Sequence, residues 1–343
     1  MEDVVGESLR VGVVGAGANT RRHHLPKLQA IDGVEVVAVA NRSRESGSRV
    51  AEEFGIPVVH DHWQDLVGNA DVDAVVIGTW PNMHEPVTVA ALQAGHHVLC
   101  EARMARDLAE ARRMLATART HPKQTVQLVP APFTLPHDDA ISRLIGEGAI
   151  GELVGVDVTM RTGYADRQAP RSWRQDVDLS GFNVMALGIW YEQVMRWVGE
   201  ATRVSALART VVPVRSDGAG GTVAVDVPDH VDLIAALAGG GQLRMTISQV
   251  SQSSGNGVQI LGTDGTLTFV DGELSLQRRD AEPETVPPDA AAGWRVEEEF
   301  VTAIRGIEQV RRTTFEDGVR YMRFTEAVHR SAREHRQVSL SEL

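Results

Sequence analysis

The stretch that decides the fold is Leu9-Arg-Val-Gly-Val-Val14, which runs directly into Gly15-Ala-Gly-Ala-Asn-Thr20. Its apolar half predicts a buried strand, and the glycine pair predicts a tight turn into a helix. In such a turn Gly15 closes the bend, and Gly17 lets a pyrophosphate approach the backbone without meeting a Cβ atom. Thr20 stands where the full fingerprint has a third glycine. The pattern predicts a cofactor-binding loop made of Gly15, Ala16, Gly17, Ala18 and Asn19.

Outward from this loop, the first 130 residues alternate Val-, Ile- and Leu-rich runs, among them 34–40 and 74–77, with amphipathic stretches. This alternation predicts βαβ units in a parallel sheet that helices cover on both faces. Pro130-Ala131-Pro132 fits neither a helix interior nor a central strand, so we expect a hinge there. Beyond it, period-two alternation between Gly-rich turns, with 203–214 and 223–237 each read as one strand, predicts a mostly antiparallel sheet with one open face. The predicted fold class is therefore α/β, with domains 1–130 and 131–343, the last two helices packing back toward the first domain.

The composition excludes several classes of function. The chain has 343 residues and a formal net charge of −12 at pH 7, which opposes binding to nucleic-acid phosphates. It has one cysteine, Cys100, and no Cys/His pair at zinc spacing, so we expect neither a disulfide framework nor a metal site. No run of about 18 apolar residues and no secretory layout at the N-terminus is present. We expect a cytoplasmic protein with a small-molecule partner and no membrane partner.

The end of the second predicted strand bears on the choice of cofactor. A fold that prefers NAD usually has Asp or Glu there, hydrogen-bonded to the ribose hydroxyls. This chain has Asn41 followed by Arg42 and Arg44. Guanidinium groups suit a 2′-phosphate in charge and geometry, which favours NADP over NAD. The alternative is that both arginines belong to a solvated helix start.

Further motifs span nearly the whole chain and resemble one family. They are Val75-Val-Ile-Gly-Thr79, His84, Ala91-Leu-Gln-Ala-Gly95, His97-Val-Leu-Cys-Glu101, Ile145-Gly-Glu-Gly-Ala-Ile-Gly151, Gly262-Thr-Asp-Gly265, Arg305-Gly306 and Asp317-Gly318. Together with the glycine loop they resemble the glucose–fructose oxidoreductase, inositol dehydrogenase and rhizopine catabolism proteins, the Gfo/Idh/MocA family.

The resemblance implies an N-terminal Rossmann domain that binds NAD(P) and a C-terminal α/β domain with an open, mainly antiparallel sheet. It also implies a sugar, cyclitol or sugar acid in the interdomain cleft, where a hydride passes between a ring carbon and the nicotinamide. Assembly through the C-terminal sheet is common in the family, so a homodimer or homotetramer is expected. The resemblance also implies that the cofactor is bound by Thr79, Trp80, His84 and Glu101. For Trp80 both stacking near the cofactor and plain packing stay open.

The catalytic positions depart from the family pattern. The family's Glu-Lys-Pro triplet reads Glu101-Ala102-Arg103 here. Its Asp-x-Gly-x-His-x-x-Asp run on the long helix reads Ala186, Gly188, Trp190 and Gln193 at the corresponding positions. Alcohol oxidation must also remove a proton, which neither alanine nor tryptophan accepts.

Other residues must then move the proton. Tyr191 is the first candidate, provided that a nearby cation lowers its pKa, and Glu192, Glu101 and His84 are alternatives. A solvated helix position for Glu192 and a structural role for His84 are the competing interpretations. Arg103 is expected to bind an anionic substrate group or to stabilise an oxyanion, because a guanidinium cannot act as a base.

The segment from Arg161 to Asp176 contains four arginines and lies where the family contacts its substrate. This pattern favours an anionic, sugar-like ligand, and a charged surface loop is the alternative. Asn183 adds an amide that could bind a hydroxyl or cap the long helix. The predicted substrate-binding residues are Arg103, Tyr164, Trp173, Arg174, Asn183 and Trp190.

Three functions remain open from the sequence. The first is an NAD(P)-dependent oxidoreductase of a sugar, cyclitol or sugar acid with an unusual acid–base group. The second is a nicotinamide-dependent lyase, hydrolase or epimerase, in which transient oxidation leaves no net redox change. The third is a dinucleotide-binding protein without catalysis.

Overall fold

The computed structural model of the chain describes residues 8–162, 166, 168–184, 186–289 and 292–343. The chain divides into two compact units. In their described parts, the first consists of the residues through Ala105 with Ala109–Pro130 and Arg295–Val319, and the second of Arg106–Leu108, Ala131–Trp294 and Arg320–Leu343. One cut falls at Pro130, within the proline segment. The segment Arg295–Val319 belongs to the first unit, although the sequence-based boundary assigned it to the second domain.

The first unit contains a sheet of six parallel strands. Its central strands are nearly continuous runs of buried Val, Ile and Ala, as expected for a sheet with helices on both faces. The strands are β1 Leu9–Val14, β2 Val34–Ala40, β3 Val58–His60, β4 Ala74–Ile77, β5 His97–Cys100 and β6 Val126–Leu128. Their spatial order, β3-β2-β1-β4-β5-β6, is that of a Rossmann domain, with the switch point between β1 and β4. The predicted fold class is confirmed.

The segments between these strands form helices. They are α1 Leu25–Gln29, α2 Arg44–Phe54, α3 Trp63–Val67, α4 His84–Gln93 and α5 Leu108–Thr120. A π-helical turn, Thr20–His24, lies between the glycine loop and α1. This turn was not predicted, and it positions a buried histidine discussed below.

The second unit contains a nine-stranded sheet with one open face. Its strands and those of a separate hairpin are β7 Leu153–Thr162, β8 Ala201–Arg209, β9 Val214–Ser216, β10 Thr222–Ala224, β11 His230–Leu237, β12 Gln242–Ser248, β13 Ser254–Gly262, β14 Gly265–Val270, β15 Glu273–Arg278, β16 Glu284–Val286 and β17 Val338–Ser339. The sheet order is β16-β15-β14-β13-β7-β12-β11-β8-β17, and β9 pairs with β10. All neighbours in the large sheet run antiparallel except β7 and β12.

The remaining helices are α6 Asp138–Gly146, α7 Val177–Ser180, α8 Leu187–Val198, α9 Val296–Ile304 and α10 Phe315–Glu334. At the start of α10, Thr314 and Asp317 form a reciprocal cap, with Asp317 N–H donating to Thr314 Oγ1 and Thr314 Oγ1 donating to the Asp317 carboxylate. Within the described ranges, none of the helices is long and apolar enough to cross a membrane.

Two long strands predicted in the second unit are broken in the structure. Residues 203–214 and 223–237 were each predicted as one strand. The buried carboxylate of Asp229 accepts hydrogen bonds from the N–H groups of Val211 at 2.7 Å and Val212 at 2.9 Å. These two N–H groups therefore donate to a side chain instead of to a neighbouring strand. Pro213 and Pro228 have no N–H group that could donate a hydrogen bond within a sheet. The chain therefore leaves the large sheet and forms the small β9–β10 hairpin.

Candidate functional site

The carboxyl edge of the parallel sheet brings the cofactor-side residues together. Val14 is paired with Ala40 on one side and with Ile77 on the other, and Ile77 is paired with Cys100. The residues that follow these strand ends therefore lie along one edge. They are Gly15, Asn41, Gly78, Thr79 and Glu101. Ligands of open α/β sheets bind at this edge, next to the switch point.

The glycine loop is tightly packed at Gly15 and open at Gly17. Gly15 has φ +84°, and a Cβ atom there would lie 2.5–2.9 Å from atoms of Thr79. A Cβ atom at Gly17 would meet only the Gly78 carbonyl oxygen, at 3.8 Å, and Gly17, Ala18 and Asn19 are exposed. Thr20, in place of the third glycine, is buried and donates its hydroxyl to the Gly15 carbonyl at 3.3 Å. Its side chain stabilises the turn without filling the exposed part of the loop.

Thr79 and His84 make this edge of the sheet suitable for binding a dinucleotide. The Thr79 hydroxyl oxygen is buried beside Gly15 and has no hydrogen-bond partner within the described part of the chain. A buried polar atom without a partner costs about 1–3 kcal/mol, which a bound ligand can offset. His84 contacts the Thr79 carbonyl through Nε2 at 3.1 Å and the Arg103 carbonyl through Nδ1 at 2.9 Å. Burial lowers the pKa of His84, so it suits a neutral group that fixes the loop after β4 rather than an acid–base group.

The residues after β2 are used in different ways. Asn41 does not extend into solvent, because its Oδ1 accepts the Ala16 N–H at 2.7 Å and holds the glycine loop. Arg44 makes two hydrogen bonds of 3.0 Å to the carboxylate of Asp61. Arg42 is exposed, and its guanidinium carbon lies 5.4 Å from the ring centroid of Trp80. Arg42 and Trp80 thus lie together at the edge of the candidate site.

A buried row of ionisable groups lies directly after β5. His24 Nε2 is 3.0 Å from Glu101 Oε1, and His24 Nδ1 is 2.5 Å from Glu297 Oε1. Asn19, from the glycine loop, also donates to Glu101. Burial by itself would lower the pKa of His24, but the hydrogen bonds to the two carboxylates outweigh it and raise this pKa to about 9. Burial would likewise raise the pKa of Glu101, but its hydrogen bond and charge interaction with His24 hold this pKa below its usual value.

Sequence reasoning missed His24 and Glu297. Glu297 belongs to the acidic first turn of α9, where the helix dipole alone accounts for negative charge. The structure uses these acids for specific contacts, since buried Glu299 accepts the N–H groups of Arg311 and Arg312 at 2.7 and 2.8 Å. No local signal joins His24 to a carboxylate 273 positions later in the chain.

Tyr191, the first predicted acid–base residue, lies in the core of the second unit. Its side chain is fully buried and stacks on Phe324 with ring centroids 3.6 Å apart. Its hydroxyl oxygen accepts the Ala201 N–H at 2.8 Å. Burial raises the pKa of Tyr191, which is the opposite of the shift that the predicted role required. The structure therefore argues against Tyr191 as an acid–base residue.

Glu192 is neither solvated nor free to act on a ligand. It is buried, it accepts the Ala131 N–H at 3.2–3.3 Å, and it pairs with Arg196 at 2.6 Å. Arg196 also pairs with the buried carboxylate of Asp138. The interpretation of Glu192 as a solvated helix residue is wrong, because the side chain belongs to a buried ion-pair network that holds the chain after Pro130.

The predicted substrate-binding residues have different environments. Trp190 is buried and stacks on Phe133 with centroids 5.0 Å apart, and its indole N–H has no acceptor within the described ranges. Arg174 is exposed over the Trp173 ring, 4.2 Å from its centroid. Asn183 is buried and donates to the Ser180 carbonyl at 2.6 Å. Since α8 is capped at Ala186, the predicted capping of the long helix by Asn183 is wrong. Tyr164 lies outside the described residues.

Comparison with known proteins decides the family. Residues 9–128 match the model described as "Oxidoreductase family, NAD-binding Rossmann fold", and residues 139–268 match the "GFO/IDH/MocA C-terminal domain". The chain belongs to the Gfo/Idh/MocA family. It is 26% identical to levoglucosan dehydrogenase of Pseudarthrobacter phenanthrenivorans over 302 residues, covering 80% of this chain and 75% of the relative. It is 27% identical to inositol 2-dehydrogenase of Klebsiella pneumoniae (strain 342) over 195 residues, 56% of this chain and 54% of the relative.

Solved structures show the same Gfo/Idh/MocA fold. A levoglucosan dehydrogenase in complex with NADH and L-sorbose has a TM-score of 0.85 at 23% identity, covering 97% of this chain and 98% of that one. The predicted family is thus confirmed, and with it a relationship to NAD-binding dehydrogenases of sugars and cyclitols.

Several residues that differ from the catalytic pattern of the Gfo/Idh/MocA family are buried in this structure. Ala186 and Trp190, at the positions of the family's aspartate and histidine, are both buried. Arg103 is buried as well, and its carbonyl contacts His84. Among the four residues predicted as catalytic, Glu101 has the most exposed side chain, at 14% of its surface. Glu101 is therefore the predicted group that a ligand at the sheet edge can reach most readily.

Proposed function

We propose that this protein is an NAD(P)-dependent dehydrogenase of a ring hydroxyl in a sugar, cyclitol or sugar acid, with Glu101 as its acid–base residue. Family membership supports the reaction class. The observation that carries the assignment of Glu101 is its position at the end of β5, where it receives hydrogen bonds from His24 and from Asn19 of the glycine loop. One carboxylate is thus linked both to the cofactor loop and to a buried cation.

The residues of the first unit suit both binding and orientation of the cofactor. The open backbone at Gly17–Asn19 would hold the pyrophosphate, and the Thr79 hydroxyl offers an unused polar atom beside it. A bound nicotinamide supplies or accepts the hydride. His84 holds the loop between these groups and the end of β5.

Glu101 would move the proton that accompanies the hydride. Since its pKa is held low, Glu101 is ionised at neutral pH and can accept the hydroxyl proton of a substrate. The positive charge of His24 keeps Glu101 ionised. It also makes Glu101 a weaker base, because a carboxylate with a low pKa binds a proton less tightly. The Glu101 side chain is 14% exposed, which leaves a route by which the proton can pass on to solvent.

We further propose that NADP is preferred over NAD. Asn41 binds the glycine loop instead of presenting an acid to the ribose, and Arg42 lies exposed beside Trp80. A 2′-phosphate would meet no carboxylate from Asn41 and a guanidinium from Arg42.

In the second unit, the Trp190–Phe133 and Trp173–Arg174 pairs are assigned to substrate recognition. Phe133 is 41% exposed and offers an apolar ring face to the C–H face of a sugar, with Trp190 stacked against it. Within the described ranges the Trp190 N–H has no acceptor, which a ligand oxygen would supply. The exposed Arg174 would favour a substrate with an acidic group.

The absorbance of reduced nicotinamide tests this function directly. We expect stoichiometric reduction of NADP or NAD with at least one compound of a panel containing levoglucosan, myo-inositol and sugar acids. Glu101→Gln should lower kcat by about 10²–10⁴ with little change in the Kd of the cofactor. Glu45→Gln, at an exposed glutamate, is the control and should behave as the wild type.

Three outcomes would contradict the proposal. Conversion of a substrate that requires the cofactor but leaves its absorbance unchanged would indicate a lyase, hydrolase or epimerase. Tight cofactor binding with no conversion of any compound in the panel would indicate a binding protein. A Glu101→Gln enzyme with unchanged kcat would remove Glu101 from the acid–base role.

A further inference from the structure

Three side chains from distant parts of the sequence form a continuous buried row in the first unit. Glu101 follows β5, His24 ends the π-helical turn after the glycine loop, and Glu297 lies in the first turn of α9. Along this row the exposed fraction of the side chain is 14% for Glu101, 0% for His24 in the middle and 2% for Glu297. The row therefore has one end that reaches solvent or a ligand and one end that does not.

The hydrogen bonds fix the charge of the row. An ionised carboxylate only accepts hydrogen bonds, so a ring nitrogen that contacts it must carry a proton. His24 contacts a carboxylate through each ring nitrogen, at 3.0 Å and 2.5 Å. With both carboxylates ionised, the ring must be an imidazolium. Two buried carboxylates without a cation between them would be strongly destabilising, which gives the cation a physical reason to persist.

We propose that His24 holds the proton that Glu101 delivers to the substrate when the enzyme works in the direction of carbonyl reduction. This inference rests on the proposed function. In that direction a bound reduced nicotinamide would supply the carbonyl carbon with a hydride, two electrons and one proton, and would itself be oxidised. The carbonyl oxygen gains a proton from Glu101, so that one C–H and one O–H bond form. Because Glu101 is ionised at rest, this proton first moves to its carboxylate from Nε2 of His24, where the N–H bond breaks, and the neutral ring keeps its Nδ1–H bond to Glu297.

Glu297 orients the ring throughout this cycle. Because it occupies Nδ1, the mobile proton is confined to Nε2, which faces Glu101. Solvent reprotonates the row through the exposed edge of Glu101. His24 thus acts through Glu101 and is a positioning residue rather than a catalytic one.

The surroundings favour this charge distribution. Among the described residues, His84 and Cys100 also interact electrostatically with Glu101. Burial lowers the pKa of His84 and raises that of Cys100, so both are neutral near pH 7. Glu101 and Glu297 are the carboxylates that hydrogen-bond to His24, and the pKa of about 9 keeps the proton on His24 across the neutral range.

Titration of the histidines by NMR in the full-length, cofactor-free protein is the first test. We expect His24 to titrate about two pH units above an ordinary histidine. Glu297→Gln should lower this value by one unit or more, because it removes one of the two carboxylates. His96→Gln is the matched control, since His96 is a buried histidine whose Nε2 contacts a backbone carbonyl, that of Val67 at 2.7 Å, instead of a carboxylate. It should leave the titration of His24 unchanged.

The pH profile of carbonyl reduction is the second test. The carbonyl probes are L-sorbose and the ketone formed from whichever polyol the dehydrogenase assay oxidises. With the wild type, kcat should fall as the pH rises through about 9, since the proton on His24 is then lost. In Glu297→Gln this alkaline limb should move down together with the NMR value. His24→Gln should lower kcat by about 10–100-fold with little change in KM.

The outcomes separate this inference from the proposed function. A His24 that titrates near 6.5 overturns the inference whatever the kinetics are. An alkaline limb that stays in place in Glu297→Gln, while the NMR value moves, shows a purely structural row and also overturns it. A His24 that titrates as expected in a protein that reduces neither carbonyl probe contradicts the proposed function, and the proton transfer with it.

Discussion

At the scale of single residues, Arg42 and Arg44 differ although both follow β2. Arg44 is committed to Asp61, whereas Arg42 is exposed over Trp80. We expect Arg42→Ala to raise the Kd of NADPH by about 10–100-fold, since a hydrogen bond to a charged group contributes about 1.5–3 kcal/mol. The Kd of NADH should change little, because it lacks the 2′-phosphate. Fluorescence titration at low ionic strength measures both constants.

Arg44→Ala is the matched control for this prediction. Its guanidinium is neutralised by Asp61, so its loss should leave the Kd values of both cofactors within about a factor of three. Tighter binding of NADH than of NADPH by the wild type would contradict the preference for NADP. If Arg42→Ala lost the same affinity for NADPH and NADH, Arg42 would contact a part of the dinucleotide that the two cofactors share.

Single residues also show where sequence reasoning ends. The glycines of the cofactor loop were predictable, because a tight turn against Thr79 requires them locally. Tyr191 was misassigned because it is next in sequence to the family's histidine position. Successive residues of an α-helix point about 100° apart, so Tyr191 faces the core beside Phe324 instead. His24 was missed because both its partners come from other elements of the fold.

At the scale of elements, strands were predicted well where one apolar run makes one strand. The boundaries of β1, β2 and β4 agree with the runs 9–14, 34–40 and 74–77. Prediction failed where a side chain competes for backbone groups, as Asp229 does between β8 and β9. Such competition depends on a partner about twenty residues away, which periodicity does not register.

The turn between β1 and the following helix gives a prediction at this scale. Gly17→Ala should leave the fold intact, because its Cβ would meet one atom at 3.8 Å and the residue needs no positive φ. It should nevertheless weaken cofactor binding about tenfold or more, since the added methyl group lies where the pyrophosphate approaches the backbone. Isothermal titration with NADPH measures the affinity, and thermal unfolding without cofactor measures the fold.

Gly15→Ala serves as the contrasting variant. Its Cβ would lie 2.5 Å from Thr79 at φ +84°, so we expect a lower melting temperature even without cofactor. If Gly17→Ala bound NADPH as tightly as the wild type, the exposed part of the loop would not be the pyrophosphate site.

At the scale of the whole molecule, the open face of the large sheet is where we expect a second copy to bind. Leu207 on β8 and Ile234 on β11 are 72% and 59% exposed. Leu207 pairs with Asp232, and Ile234 lies two residues further along β11, so both side chains project from the same face. A net charge of −12 opposes association of two copies, so apolar contacts must provide the attraction.

Ile234→Asp tests this assembly. In a twofold interface each substitution acts twice, and burying one isoleucine contributes about 1.5–3 kcal/mol. We therefore expect the dissociation constant of the dimer to rise at least about 100-fold, giving monomers at micromolar concentration in sedimentation velocity. Ile307→Asp is the control, since Ile307 is 70% exposed but belongs to the first unit. An Ile234→Asp protein that sediments like the wild type would place the interface elsewhere, and a shift in Ile307→Asp alone would place it on the first unit.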